Sequence, residues 1–147
     1  MRELAADRNV LADAAHKAAL RIGEDSPGRL EACAYELCRC YTVLERMLEN
    51  ICESFENHFE RQGEWHEKLL QRMTLDLPGL RPAFFPAGHL PGIRDLKGFR
   101  HIVRHAYDLV LREDRMRELV QAAEQLAAAL PELCKTFERS VRREQGW

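Results

Sequence analysis

The chain has 147 residues, 46% of them hydrophobic and 31% charged, with a formal net charge of −2. This is the length of one domain, 1–147, with enough apolar material for a core that needs no disulfide staples. The near-neutral charge excludes whole-molecule attraction to nucleic acid or an anionic membrane, so any such binding must rest on a local patch. No apolar run is long enough to span a bilayer, and Met1–Leu4 lacks a signal-peptide core; a cytoplasmic protein without membrane contact is expected.

Helical periodicity dominates, and no segment shows convincing strand alternation. The expected fold is all-α, an antiparallel bundle of about five helices. The first spans Arg2 to Ile22, is rich in alanine and stops at Gly23. Ser26 before Pro27 forms an N-cap and first-turn pair for the next helix.

The second helix carries an apolar seam of Leu30, Cys33, Leu37, Tyr41, Leu44, Leu48, Ile51, Phe55 and Phe59. Between these lies an acidic row, Glu31, Glu36, Glu45, Glu49, Glu53, Glu56 and Glu60, which reads as a solvated face that would repel a polyanion. Four of the five cysteines, Cys33, Cys38, Cys40 and Cys52, also fall here; Cys134 is the fifth. An odd count without CxxC spacing argues for buried small hydrophobes, not a disulfide or metal framework.

Gly63 ends this helix, and Trp65 to Leu77 forms a shorter third one or a bent continuation. Residues 78–92 hold four prolines and three glycines, which excludes regular structure there. Leu80, Phe84, Phe85 and Leu90 are nevertheless too apolar for a free linker. A loop pinned to the bundle is expected, shaping one wall of the site that follows. The fourth helix covers Ile93 to Arg112. The fifth starts near Asp114 as N-cap and runs to about Arg143, with Pro131 kinking or restarting it.

The fourth helix places Arg100, His105 and Tyr107 in the order arginine, four residues, histidine, one residue, tyrosine. A fixed cation thus stands near a group that moves protons around neutral pH. On a helical wheel turning about 100° per residue, Phe99, Ile102, Val103, Ala106, Leu109 and Val110 form the expected buried arc. Arg100, His101, Arg104, His105, Tyr107 and Asp108 then share the opposite face. Arg100 and His105 diverge by about 140° on this wheel, so a shared ligand must lie across the helix, the start of the helix must be distorted, or a second chain must complete the site; the divergence is the reason to expect a dimer. Between Arg94 and Arg117 there is a local excess of three positive charges, which Arg139, Arg142 and Arg143 would extend. Gly98 reflects either a late helix start or close approach of RNA or another backbone.

The segment Asp95-Leu96-Lys97-Gly98-Phe99-Arg100-His101-Ile102-Val103-Arg104-His105-Ala106-Tyr107 resembles the signature of HepT-like toxins, a branch of the HEPN helical ribonucleases. The all-helical pattern, the long second helix and Leu130–Leu133 in the last helix are similar too. The resemblance implies a metal-independent endoribonuclease toxin without a cofactor, acting on RNA as a homodimer. It also implies a nucleotidyltransferase antitoxin of the MntA type, which would transfer AMP to Tyr107. His101 departs from the family, where a small polar residue, most often asparagine, follows the motif arginine. Here it preserves a hydrogen-bonding role, adds a second proton-transfer group, or marks a weakened site.

Metal-free RNA cleavage needs a base for the 2′-hydroxyl proton, an acid for the leaving 5′ oxygen and a cation for the phosphate. His105 suits the base or acid role and Arg100 the phosphate. His101, Arg104 and Tyr107 supply supporting contacts to phosphate or RNA. The second proton-transfer group is His105 of another subunit, or His101. Three rivals stand against this. One is a merely solvated helix face. Another is zinc held by His101 and His105, a spacing that lacks the glutamate of HExxH. The third is a catalytically inert dimerisation module partnering a nucleotidyltransferase.

Overall fold

The computed structural model describes residues 2–56 and 60–146. Five α-helices follow in chain order: α1 (Arg2–Ile22), α2 (Arg29–Glu56), α3 (Trp65–Arg72), α4 (Leu90–His105) and α5 (Glu113–Glu144), with a 3₁₀ turn at Ala87–His89 leading into α4. An isolated bridge between Leu77 and Arg81 is the only extended pairing among the described residues. The expected all-α bundle is what the chain forms.

Ion pairs report how the helices run. Asp7 pairs with Arg46 and Asp13 with Arg39, so α1 and α2 are antiparallel. Asp95 pairs with Arg115, while a Cβ on Gly92 would meet Ala122, so α4 runs antiparallel to α5. Arg29 meets Glu113 at one end of the bundle and Phe55 meets Phe137 further along, so α2 and α5 run parallel.

The long α2 lies at the centre, packed by all the other α-helices. Its expected seam is buried from Cys33 through Leu37, Tyr41, Leu44 and Leu48 to Ile51, and Leu11, Ala14 and Ala18 of α1 close one side. Such side chains supply the main stabilising term, about 1.5–3 kcal/mol for each large aliphatic group buried. The seam's expected last residue, Phe59, lies outside the described residues.

A central helix has little face left for solvent, and this corrects part of the reading of its acidic row: Glu31, Glu53 and Glu60 are exposed as expected, but others are not. Glu36 and Glu45 are buried, and the Glu56 side chain is 3% exposed beside a wholly buried Arg81. Glu45 and Glu56 anchor Arg100 and Arg81 from elsewhere in the chain, while Glu36 accepts from Arg39 one turn along the same helix.

The proline-rich segment is pinned as expected, with Phe84, Phe85 and Leu90 buried, although Leu80 is exposed. Arg81 is the pin. It donates to Glu56 and to the carbonyls of Arg72, Leu75 and Pro82. The Phe84 amide donates to the Met73 carbonyl at 2.8 Å, fastening the segment just past α3. This strap explains why α3 stops at Arg72 and not at Leu77. The segment is also more regular than its composition suggests. Pro91 sits in the first turn of α4, where its missing N–H costs nothing, so the helix begins at Leu90.

Two further boundaries differ from expectation. The helix α4 ends at His105, and Ala106 is extended at φ −100° and ψ 133°. Because α4 and α5 are antiparallel, the chain must reverse between them, and residues 106–112 make that reversal. A helix running to Arg112 would leave no residues for it. Helix α5 starts at Glu113 with Arg112, not Asp114, at the N-cap, and continues through Pro131 without restarting. Pro131 faces solvent while Leu130, Cys134 and Phe137 are buried around it.

Candidate active site

The buried side of α4 is set by Leu90, Ile93, Leu96 and Phe99. These residues recur at three- and four-residue spacing, and Arg100 falls inside the arc they define. Arg100 is accordingly only 5% exposed, which corrects its expected place on the solvent face. Its Nη2 donates to both oxygens of Glu45 at 3.0 and 3.1 Å, and Nη1 donates to Thr42 Oγ1 at 3.3 Å. The guanidinium also lies 4.4 Å from the centre of the Tyr41 ring, within cation–π range. Tyr41 is fully buried, and its hydroxyl has no hydrogen-bond partner among the described residues. Burial first, and the Glu45 carboxylate second, push its phenol above the ordinary range.

The solvent side of α4 forms one wall of an open groove of about 660 Å³. Lys97, Gly98, His101, Arg104 and His105 line that wall, with an edge of Arg100 at its floor; the other wall is Gly63, Glu64, His66 and Glu67, around the start of α3. The proline-rich segment contributes nothing to this lining, so the expected wall is made by α3 instead. His101 and His105 are exposed, one turn apart, with ring centres at 4.5 Å. Among the described residues no group of three or more histidine, cysteine, aspartate or glutamate side chains is placed to hold a metal ion.

Charge in the groove is more balanced than the local excess of cations suggests. Glu67 accepts from Arg94 Nε at 2.8 Å and from Lys97 Nζ at 2.5 Å. Burial would raise the Glu67 carboxyl, but these two cations outweigh it and hold it below the usual range. Arg112, Arg115 and Arg117 pair with acids on α4 and α5. Arg104, by contrast, takes part in no ion pair among the described residues. Arg139 and Arg142 line other hollows, near the end of α5, and do not extend this wall.

Tyr107 and Asp108 lie beyond the end of α4, so the wheel does not place them. Tyr107 is fully exposed, and Ile102, Leu109 and Val110 are exposed beside it, contrary to their expected burial.

His66, which lines the groove, and its buried partner Glu45 are unanticipated. His66 Nδ1 lies 2.7 Å from Glu45 Oε2, and its ring stacks on Trp65 with centres at 3.7 Å. Glu45 therefore joins a histidine on α3 to an arginine on α4. The one signal in the sequence was the position of Glu45, one turn past Tyr41 on a helix buried on several sides.

No curated protein matches the chain, and no solved structure does. A family model described as HepT-like protein matches residues 32–141, from early in α2 to near the end of α5. Joined to the helical architecture and the arginine–histidine spacing on α4, this match settles the family: the chain belongs to the HepT-like proteins of the HEPN superfamily.

Proposed function

We propose that the protein is a metal-independent endoribonuclease toxin that cleaves RNA in the groove between α3 and α4. The observation that carries this reading is the α4 wall, where His101 and His105 stand exposed beside Arg104, a cation with no ion-pair partner among the described residues. An RNA phosphate at this wall meets a positive charge and two groups able to move protons near neutrality. In the proposed reaction the 2′ oxygen attacks phosphorus and the bond to the 5′ oxygen breaks. A base accepts the 2′ proton and an acid supplies one to the leaving oxygen, giving a 2′,3′-cyclic phosphate and a 5′-hydroxyl. His105 serves as base or acid. Arg104 meets the phosphate, and Arg100 supports the floor of the groove through Glu45.

The active unit in this reading is a homodimer, with motif residues of two copies facing one cleft. Exposed Ile102, Leu109 and Val110 beside the motif supply apolar surface for such pairing. Residues 1–147 act as one domain, because α1, outside the matched family region, closes one side of the α2 core. A nucleotidyltransferase antitoxin of the MntA type is the proposed partner. It would transfer AMP from ATP to the Tyr107 oxygen, releasing pyrophosphate. The full exposure of Tyr107 supports that access. Phosphate and adenosine placed beside the groove would repel and obstruct RNA.

The test is cleavage of RNA by purified protein in excess EDTA, set beside growth on induced expression. Wild type cleaves and arrests growth; His105→Ala does neither. RNA cleavage unchanged in His105→Ala, with contaminating nuclease excluded, overturns the assignment. A second reading, an inert module that binds a nucleotidyltransferase, is favoured by the neutralisation of Arg100 by Glu45. It requires wild type to leave RNA intact.

A further inference from the structure

We propose that His66 is the general base of the groove and that Glu45 positions it. This inference rests on the ribonuclease reading above. It answers a difficulty of that reading, since one histidine does not easily serve both ends of an in-line displacement.

Three observations assign the role. First, the ring is fixed. Nδ1 is 2.7 Å from Glu45 Oε2, and Trp65 stacks against one face. An ionised carboxylate only accepts hydrogen bonds, so Nδ1 carries the proton and donates, and Nε2 of the neutral ring is left with a free lone pair. Second, the ring belongs to the groove. His66 lines it opposite the α4 histidines, and its side chain is 40% exposed while that of Glu45 is 8% exposed. The carboxylate is thus sheltered and the imidazole open to a ligand. Third, Glu45 is itself held in place by the two contacts from Arg100 Nη2 and by its seat on the central helix. When Nε2 takes the 2′-hydroxyl proton, the resulting imidazolium lies against a fixed negative charge. This is how an oriented acid supports a histidine base in hydrolases. The proton leaving for the 5′ oxygen then comes from the α4 wall, His105 or His101.

The experiment uses the full-length protein and two substrates. One is a ribodinucleotide; the other is uridine 3′-(4-nitrophenyl phosphate), whose leaving group departs without a proton. Expected for His66→Ala is a kcat loss of about 10²- to 10⁴-fold on both substrates, with KM nearly unchanged and partial rescue by added imidazole. His66→Gln keeps a donor for Glu45 and guards against a folding artefact; it loses activity equally, with a wild-type melting temperature. Glu45→Gln also leaves Arg100 facing a neutral partner, so it is assayed under conditions where unfolding curves show the variants fully folded; there it lowers kcat in the wild-type background and adds nothing in the His66→Ala background. An active wild type with His66→Ala and His66→Gln unimpaired overturns the inference and leaves the ribonuclease reading intact. A His66→Ala defect that vanishes on the nitrophenyl substrate makes His66 the acid and overturns its assignment as base. A wild type that cleaves neither substrate overturns the ribonuclease reading, and this inference with it.

Discussion

The Arg100 guanidinium and the Glu45 carboxylate form a buried ion pair, with one nitrogen reaching both oxygens at 3.0 and 3.1 Å. The pair joins the motif helix to the central helix, so Arg100 is a structural residue before it is anything else. Arg100→Ala would strand a buried carboxylate, and breaking such a pair costs about 3–5 kcal/mol. Urea unfolding should show a loss of that size. Loss of activity in Arg100→Ala is therefore weak support for a phosphate contact; Arg100→Lys, which keeps the charge but not the fork, should lose less stability.

Arg104 offers the cleaner probe of phosphate binding, because it is exposed and unpaired among the described residues. Arg104→Ala should change stability by no more than about 0.5 kcal/mol. It should weaken RNA binding and reduce the slope of log affinity against log salt by about 0.7, the value for one lost contact to a single strand. A salt titration of RNA affinity measures both effects. An unchanged slope would remove Arg104 from the phosphate site.

How far the sequence carried these conclusions depends on the length of each pattern. The first two helices were readable because their apolar repeats run for many turns. The family was readable because a short spelling sits in the right helical context. The orientation of α4 was not. Leu109 and Val110 are apolar, but the helix ends before them at His105, and a helical wheel that includes them points the core away from Leu90, Ile93 and Leu96 and places Arg100 at the surface. The partner of Arg100 stands 55 positions away in the chain. A row of glutamates looks solvated until the helices that cover it are known, and His66 gained meaning only through Glu45.

The cysteines should behave as core residues. Burial pushes the Cys33 thiol up to about 11 and those of Cys40 and Cys52 up to about 12. Cys38 and Cys134 are raised for the same reason. Thiolate is the reactive form, so alkylation of the native protein at pH 8 should be far slower than at an ordinary exposed cysteine. All five should react once urea unfolds the chain. Mass spectrometry of iodoacetamide-treated samples reads the count directly.

Acid should loosen the strap that leads into α4. Burial alone would raise the Glu56 carboxyl, but hydrogen bonds from Cys52 and Arg72 and the charge of Arg81 hold it below the ordinary glutamate range. A carboxyl lowered on folding adds stability that is fully present above the unfolded value, about 4.3, and is lost as pH falls through the folded value. Glu67, lowered by Arg94 and Lys97, acts in the same direction. The melting temperature should hold from neutrality to about pH 5 and fall below about 4.3. Glu56→Gln should remove part of that dependence, at a cost of about 3 kcal/mol from the charge left on Arg81. An equal fall in wild type and variant would mean that other groups dominate.

Gly98 separates stability from function on the motif helix. It lies well inside α4, which begins at Leu90, so a late helix start does not explain it. A Cβ built there meets nothing within 4 Å, and the residue lines the groove beside His101. Glycine in a helix interior costs about 1 kcal/mol relative to alanine. Gly98→Ala should therefore raise stability by about 0.5–1 kcal/mol in urea unfolding. If RNA or a second backbone comes close at this point, the same methyl group will weaken RNA binding or dimer formation while the fold grows more stable. Gains in stability with unchanged affinity and oligomeric state would show that the open space beside Gly98 is not used.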